Sequence, residues 1–178
     1  MTLITDVHTH RRAPAPGRIV NIDPSGPFAP LLPGQTYSVG IHPWNADRAD
    51  MFGEVERLAV CPAVVAIGET GLDKRRGPSL DIQIPLFRRH IELAEAVGKP
   101  LIVHCVGAWQ ELLALPRPRV MTIIHGFRGK PELARQLTAA GFFLSLGARY
   151  TPASEGFALF RESDMSDESD LSDESVFS

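Results

Sequence analysis

Five residues in this chain have the type and the placement to gather divalent metal ions: His8, His10, Glu69, His104 and His125. Asp6-Val7-His8-Thr9-His10 opens the case. Side chains alternate across an extended strand, so His8 and His10 share one face. Two neutral imidazoles at that spacing can bind one cation. Glu69 follows an apolar run in Val64-Val65-Ala66-Ile67-Gly68-Glu69, flanked by glycine on the near side and by Gly71 beyond. A carboxylate there can bridge two cations through its two oxygens. His104 closes Leu101-Ile102-Val103-His104, and His125 closes Met121-Thr122-Ile123-Ile124-His125. A sixth ligand or a base is offered by Asp164, in Phe160-Arg161-Glu162-Ser163-Asp164. The same Asp164 also begins the acidic tail.

Other candidates surround this set. His42, in Gly40-Ile41-His42-Pro43-Trp44, is placed to meet substrate at the same mouth or to stabilise the turn before Pro43. Lys74 and Arg75 follow Glu69 closely, with Arg76, and could hold phosphate oxygens. His90 falls mid-helix and reads as a surface or packing residue. Cys105 follows His104 and so faces away from the site, against outer helices.

These side chains need a scaffold that brings strand ends together. Short apolar, β-branched runs recur at 3–8, 18–22, 37–42, 64–69, 101–104, 121–125 and 142–146, with a weaker eighth at 157–160. Near-continuous apolar strands belong to parallel sheets buried on both faces. Helical patterns lie between several of them, at 51–60, 84–97, 108–115 and 131–140. Pro85 suits the first turn of the longest, and Gly98 then Pro100 end it. Strands alternating with helices predict an α/β fold, a TIM-type (β/α)8 barrel. In that barrel all strand C-termini meet at one face, where the five residues would converge.

The length requires trimming. The chain has 178 residues, whereas such barrels usually need about 250. Residues 11–17 and 23–36 are too rich in Pro and Gly for helices. The expectation is a trimmed barrel with several outer helices missing or shortened, its bare strand flanks covered by a second copy in a homo-oligomer.

Composition places the chain among soluble globular proteins: 44% hydrophobic and 22% charged residues. No apolar run approaches the roughly 20 residues of a membrane span, and residues 1–6 carry no secretory pattern. Two cysteines make no disulfide framework, which fits a reducing cytoplasm. The net charge of −3 is uneven: residues 162–178 hold seven acidic residues and no basic one. The body before them is mildly basic, as a phosphate-rich substrate would favour. Residues 1–164 read as the metal-binding barrel. Residues 165–178, with Ser-Asp-Met/Leu-Ser-Asp-Glu-Ser repeated, read as an acidic low-complexity tail without fixed structure.

Taken in order, Asp6-Val7-His8-Thr9-His10, Gly40-Ile41-His42-Pro43, Ala66-Ile67-Gly68-Glu69-Thr70-Gly71-Leu72-Asp73, Gln83 with Phe87, Lys99-Pro100-Leu101-Ile102-Val103-His104 and Ile124-His125-Gly126-Phe127 with Gly129 make a pattern. That pattern resembles the TatD-like DNases of the amidohydrolase superfamily. The resemblance implies a barrel with one to three divalent ions and hydrolysis of DNA phosphodiesters. It implies metal ligation by His8, His10, His104 and His125, with Glu69 bridging. Glu162-Ser163-Asp164 is similar to the family's closing Glu-Thr-Asp, which would make Asp164 a ligand and general base. The segment from Leu146 to Glu162 is shorter than in the family, the C-terminal helix is replaced by the acidic repeat, and Val106-Gly107 stand where many members carry arginine.

The expected activity is therefore hydrolysis by metal-activated water, with two cations (Zn, Mn or Mg) between His and carboxylate ligands. One alternative keeps the site and changes the substrate to a small ester, amide or phosphoester. The other is a barrel that has lost turnover and acts as a binding protein.

Overall fold

The computed structural model describes residues 6–10, 17–147 and 149–161. Eight strands follow one another: β1 (Asp6–Thr9), β2 (Arg18–Ile22), β3 (Thr36–Val39), β4 (Val64–Asp73), β5 (Leu101–Val106), β6 (Thr122–Ile124), β7 (Phe143–Leu146) and β8 (Phe160–Arg161). Each pairs parallel with the next, and spatial order equals chain order. The last strand, β8, lies against β1. A parallel sheet that comes back to its first strand is the expected barrel. The apolar runs explain it: Val39, Ile67, Leu101, Ile102, Val103, Ile124 and Leu144 have no exposed surface. Alternate residues fill the interior or meet the outer layer, so both faces must be apolar.

That outer layer is thin. It holds α1 (Phe52–Ala59), α2 (Leu80–Val97), α3 (Trp109–Ala114) and α4 (Pro131–Ala139), with 3-10 segments at Pro43–Met51 and Pro152–Phe157. No helix joins β2 to β3. Instead Phe28 and Leu31 of that loop pack against the core, and Tyr37 Oη accepts the Leu32 N–H at 2.8 Å. The loop does part of the work of a helix.

Four boundaries differ from expectation. The fourth strand does not end at Glu69 but runs on to Asp73, because Thr70 to Asp73 go on pairing with Val103 to Val106 of β5. The long helix starts at Leu80, so Pro85 lies inside it rather than in its first turn. A tertiary contact supplies the extra turn: Gln83 Nε2 donates to Asp73 O at 2.8 Å and Pro78 O at 2.6 Å. The eighth strand is Phe160–Arg161, not 157–160, because the 3-10 segment runs to Phe157 and pairing begins only where Leu159 N reaches Leu144 O. The third strand ends at Val39 rather than His42, for a reason that lies in the site. Asp164 and the tail 165–178 fall outside the described residues.

β4 and β5 press together at glycine. Gly71 has φ +146°, and a Cβ on it would overlap the carbonyl oxygen of His104. Gly71→Ala therefore combines a forbidden backbone with a backbone clash. The expected loss is at least about 3 kcal/mol in urea unfolding, or no soluble protein at all. A variant as stable as the parent would mean that the two strands do not approach this closely.

Candidate metal centre

The C-terminal halves of the strands and the positions just past them deliver the chemistry. β1 carries His8, with His10 one residue past its end; β4 carries Glu69 and Asp73; β5 carries His104; His42 and His125 lie just beyond β3 and β6. Glu69 sits in the middle with 2% exposure. Its Oε2 is 3.1 Å from His8 Nε2 and 3.7 Å from His10 Nε2. Its Oε1 is 3.2 Å from His42 Nε2, 3.0 Å from His104 Nδ1 and 2.5 Å from His125 Nε2. Each oxygen thus belongs to a different trio. His8, His10 and Glu69 make one, and His42, Glu69 and His104 make the other, each with its ligand atoms within 4.8 Å of one another.

The donor set fits a cation. His8 Nε2 and His10 Nε2 lie 3.2 Å apart, and His42 Nε2 and His104 Nδ1 lie 3.3 Å apart. The first pair converges on Glu69 Oε2, which has no aligned hydrogen-bond donor although His8 is near, and the second on Oε1. His8 Nδ1 is likewise buried without a partner. Nitrogen and carboxylate donors together suit Zn2+ or Mn2+ and admit Mg2+.

Electrostatics agree. Burial alone would raise the Glu69 pKa. His125, His8 and His42, with the hydrogen bond from His104, override that and hold it well below the usual carboxylate range. Burial depresses His8 despite the pull of Glu69, so its ring stays neutral and able to ligate. Burial would also depress His104, but hydrogen bonds to Asp73 and Glu69 raise it above the ordinary imidazole value.

A layer of supporting groups fixes the ligands. Asp73 Oδ2 is 3.0 Å from His104 Nε2 and accepts from Trp44 Nε1 at 2.6 Å. Its pKa falls to about 2: burial pushes up, and the bonds from His104, Trp44 and the Arg75 amide outweigh it. Gln83 Oε1 accepts the Asp73 N–H at 2.7 Å. Asn21 Oδ1 accepts the Glu69 N–H at 2.7 Å. At the end of β3, side chains replace the ladder. His90 Nε2 accepts from Ile41 N at 3.0 Å, and Asp23 Oδ2 accepts from His42 N at 3.1 Å. That is why the strand stops early and why His42 is held. A carboxylate on the outer ring nitrogen, as Asp73 has on His104, is the usual way a metal-site histidine is oriented.

All five residues first singled out converge, and His42 lies at the same mouth, beside Glu69. Arg75 lines the cleft beside His104 and His125. Lys74 does not: its Nζ lies 2.7 Å from Glu111 Oε1. Cys105 is buried in the core, and burial pushes its thiol up to about 12. His90 is fully buried, not a surface residue. Asp73 and Asn21 went unnoticed as site residues. Asp73 had a signal, since it lies four residues after Glu69 on one strand and so on the same face.

The comparisons with known proteins meet this geometry. The family described as TatD related DNase matches residues 32–166. The chain belongs to the TatD-related DNase family. It is 34% identical over 120 residues to the metal-dependent hydrolase YcfH of Escherichia coli K12, covering 65% of this chain and 45% of that one. It is 37% identical over 128 residues to the 3'-5' ssDNA/RNA exonuclease TatD of Erwinia billingiae, covering 67% and 48%. The crystal structure of a TatD family hydrolase from Entamoeba histolytica superposes with a TM-score of 0.56 at 24% identity, over 63% of this chain and 41% of that one. The chain spans about half the length of the curated relatives it matches.

His90 gives a pH test. Its Nδ1 faces Leu86 O at 2.9 Å and so carries the proton, leaving Nε2 to accept. Burial lowers its pKa from 6.5 to about 4. A depressed pKa contributes stability above the unfolded value and loses it as pH falls toward the folded one. Between pH 7 and pH 4.5 the parent should lose roughly 2 kcal/mol more than His90→Gln, which does not titrate. Parallel urea curves for the two proteins at both pH values would show that His90 is not neutral in the fold.

Proposed function

We propose that this chain hydrolyses phosphodiester bonds of nucleic acid, DNA foremost, with divalent cations held at the strand ends. The observation that carries this is Glu69, whose two oxygens each face a separate set of imidazoles. Two cations bound there would polarise a phosphoryl oxygen and bring the pKa of water toward neutrality. We assign His8, His10 and Glu69 Oε2 to one, and Glu69 Oε1, His104 and His42 to the other, with His125 beside that second oxygen. His42 thereby moves from substrate contact to ligand, on its 3.2 Å distance to Glu69.

The remaining residues orient and neutralise. Asp73 holds the His104 ring, so that Nδ1 faces inward. Arg75 at the cleft rim is placed to meet a phosphate oxygen. Lys74 would first have to leave Glu111. Asp164 is our candidate for the group that takes the proton from water; the family match runs through it to residue 166. The name of the Erwinia relative supports a nucleic-acid substrate. Free cysteines support a reducing cytoplasm, and no helix among the described residues is long and apolar enough to cross a membrane. A homo-oligomer remains our expectation from the shortness of the barrel, and light scattering would reject it by returning a monomer.

The test is cleavage of labelled single-stranded DNA by metal-reconstituted protein, with metal content read separately by elemental analysis. EDTA should abolish cleavage. Glu69→Ala should lower bound metal and cut turnover roughly a thousandfold or more. Turnover retained in that variant would reject the bridging role. Metal bound with hydrolysis only of small phosphoesters would move the substrate away from nucleic acid, and no turnover on any substrate would favour a binding protein.

A further inference from the structure

A cleft of about 280 Å3 opens beside His104 and His125, between the loops that follow β5 and β6. Among the described residues, no lining side chain is acidic. Two guanidinium groups, Arg75 and Arg128, stand on it with Trp109 and Phe127. Its volume is at the small end for ligand sites, on the scale of one nucleotide.

The cleft is held in shape. Trp109 is half-buried and braced against Phe127, ring centroids 5.9 Å apart. The loop that presents Arg128 is fastened at two successive carbonyls: Thr151 Oγ1 donates to Arg128 O at 2.8 Å, and Ser154 Oγ donates to Gly129 O at 2.8 Å. Ser154 has no exposed surface. Both donors come from the segment before β8, so the Arg128 backbone is tied down while its side chain stays exposed.

We propose that this cleft is a nucleotide subsite, in which the base stacks on Trp109 and the adjoining phosphate lies between Arg128 and Arg75. It rests on the nucleic-acid reading above and assigns Arg128 and Trp109 to substrate. The chemistry follows from the parts. Guanidinium groups grip phosphate through paired N–H donors. Indole offers a stacking face to any base, which suits a single strand without sequence preference. A stacked base must be free of its partner strand, so the subsite selects single strands.

The test is equilibrium binding of a fluorescein-labelled oligothymidylate, read by anisotropy on the full chain in EDTA, where no hydrolysis occurs. Arg128→Ala should weaken binding roughly tenfold and flatten the salt dependence by about 0.7 in log–log slope, the share of one phosphate on a single strand. Trp109→Ala should weaken it roughly tenfold or more with the salt slope unchanged. If that variant melts early by circular dichroism, Trp109→Phe and Arg128→Ala carry the test, Phe keeping most of the affinity. Unchanged affinity and slope in Arg128→Ala would overturn the proposal, as would absence of binding by the parent. Binding lost in the variants, with no cleavage when metal is restored, would leave the subsite standing and remove the nuclease reading. Cleavage with unaltered affinities would do the reverse.

Discussion

Glu69 is an anion almost wholly removed from water, and a buried carboxylate without counter-charge costs several kcal/mol. Five imidazoles stand within 3.7 Å of its oxygens. They come from beside four strands, and only a closed parallel sheet brings that many C-terminal ends to one point. The constraint reaches into the backbone. A Cβ at Gly40 would meet Glu69 O at 2.7 Å, and one at Gly68 or Gly71 would strike the β5 carbonyls of Ile102 and His104. Strands β3, β4 and β5 therefore crowd around Glu69 as glycine alone permits. Looser packing would let water reach the carboxylate and spread the imidazoles beyond reach of a shared cation.

Much of this could be read from the residues in order. Val39, Ile67 and Ile102 lie in apolar runs of strand length, and such runs imply a sheet buried on both sides. Alternation put His8 and His10 on one face, and the structure has their Nε2 atoms 3.2 Å apart. Convergence of His104, His125 and Glu69 followed from the barrel itself. What stayed hidden depends on contacts between distant positions. Asn21 meets Glu69 across 48 residues, and His90 meets Ile41 across 49. A lone histidine in a helix has the same local appearance whether it faces solvent or caps a strand end. The early start of α2 was hidden for the same reason: Pro85 argues locally for a helix start, while Gln83 is drawn to β4 by groups that no local pattern contains. The short β8 was misplaced because Pro152–Phe157 closes a 3-10 turn before pairing can begin.

The thin outer layer then makes physical sense in terms of what each part holds. The longest helix, α2, runs from Leu80 to Val97 and packs on β4, the strand that bears Glu69 and Asp73. From it come Gln83, which fixes Asp73, and His90, which fixes the approach to His42. Between β2 and β3 there is no helix, and further support for His42 comes from that loop. Its Asp23 accepts from His42 N, from Asn45 Nδ2 at 3.0 Å and from Ser25 N at 2.9 Å. That loop also buries Phe28 and Leu31 on the core. One irregular segment thus replaces a helix in two respects, covering apolar surface and orienting a ligand. A barrel can lose outer helices where a loop meets both needs; behind β4, where ligand support comes from successive turns of one helix, it cannot. The longest helix of this barrel thus lies behind the strand whose groups must be kept still.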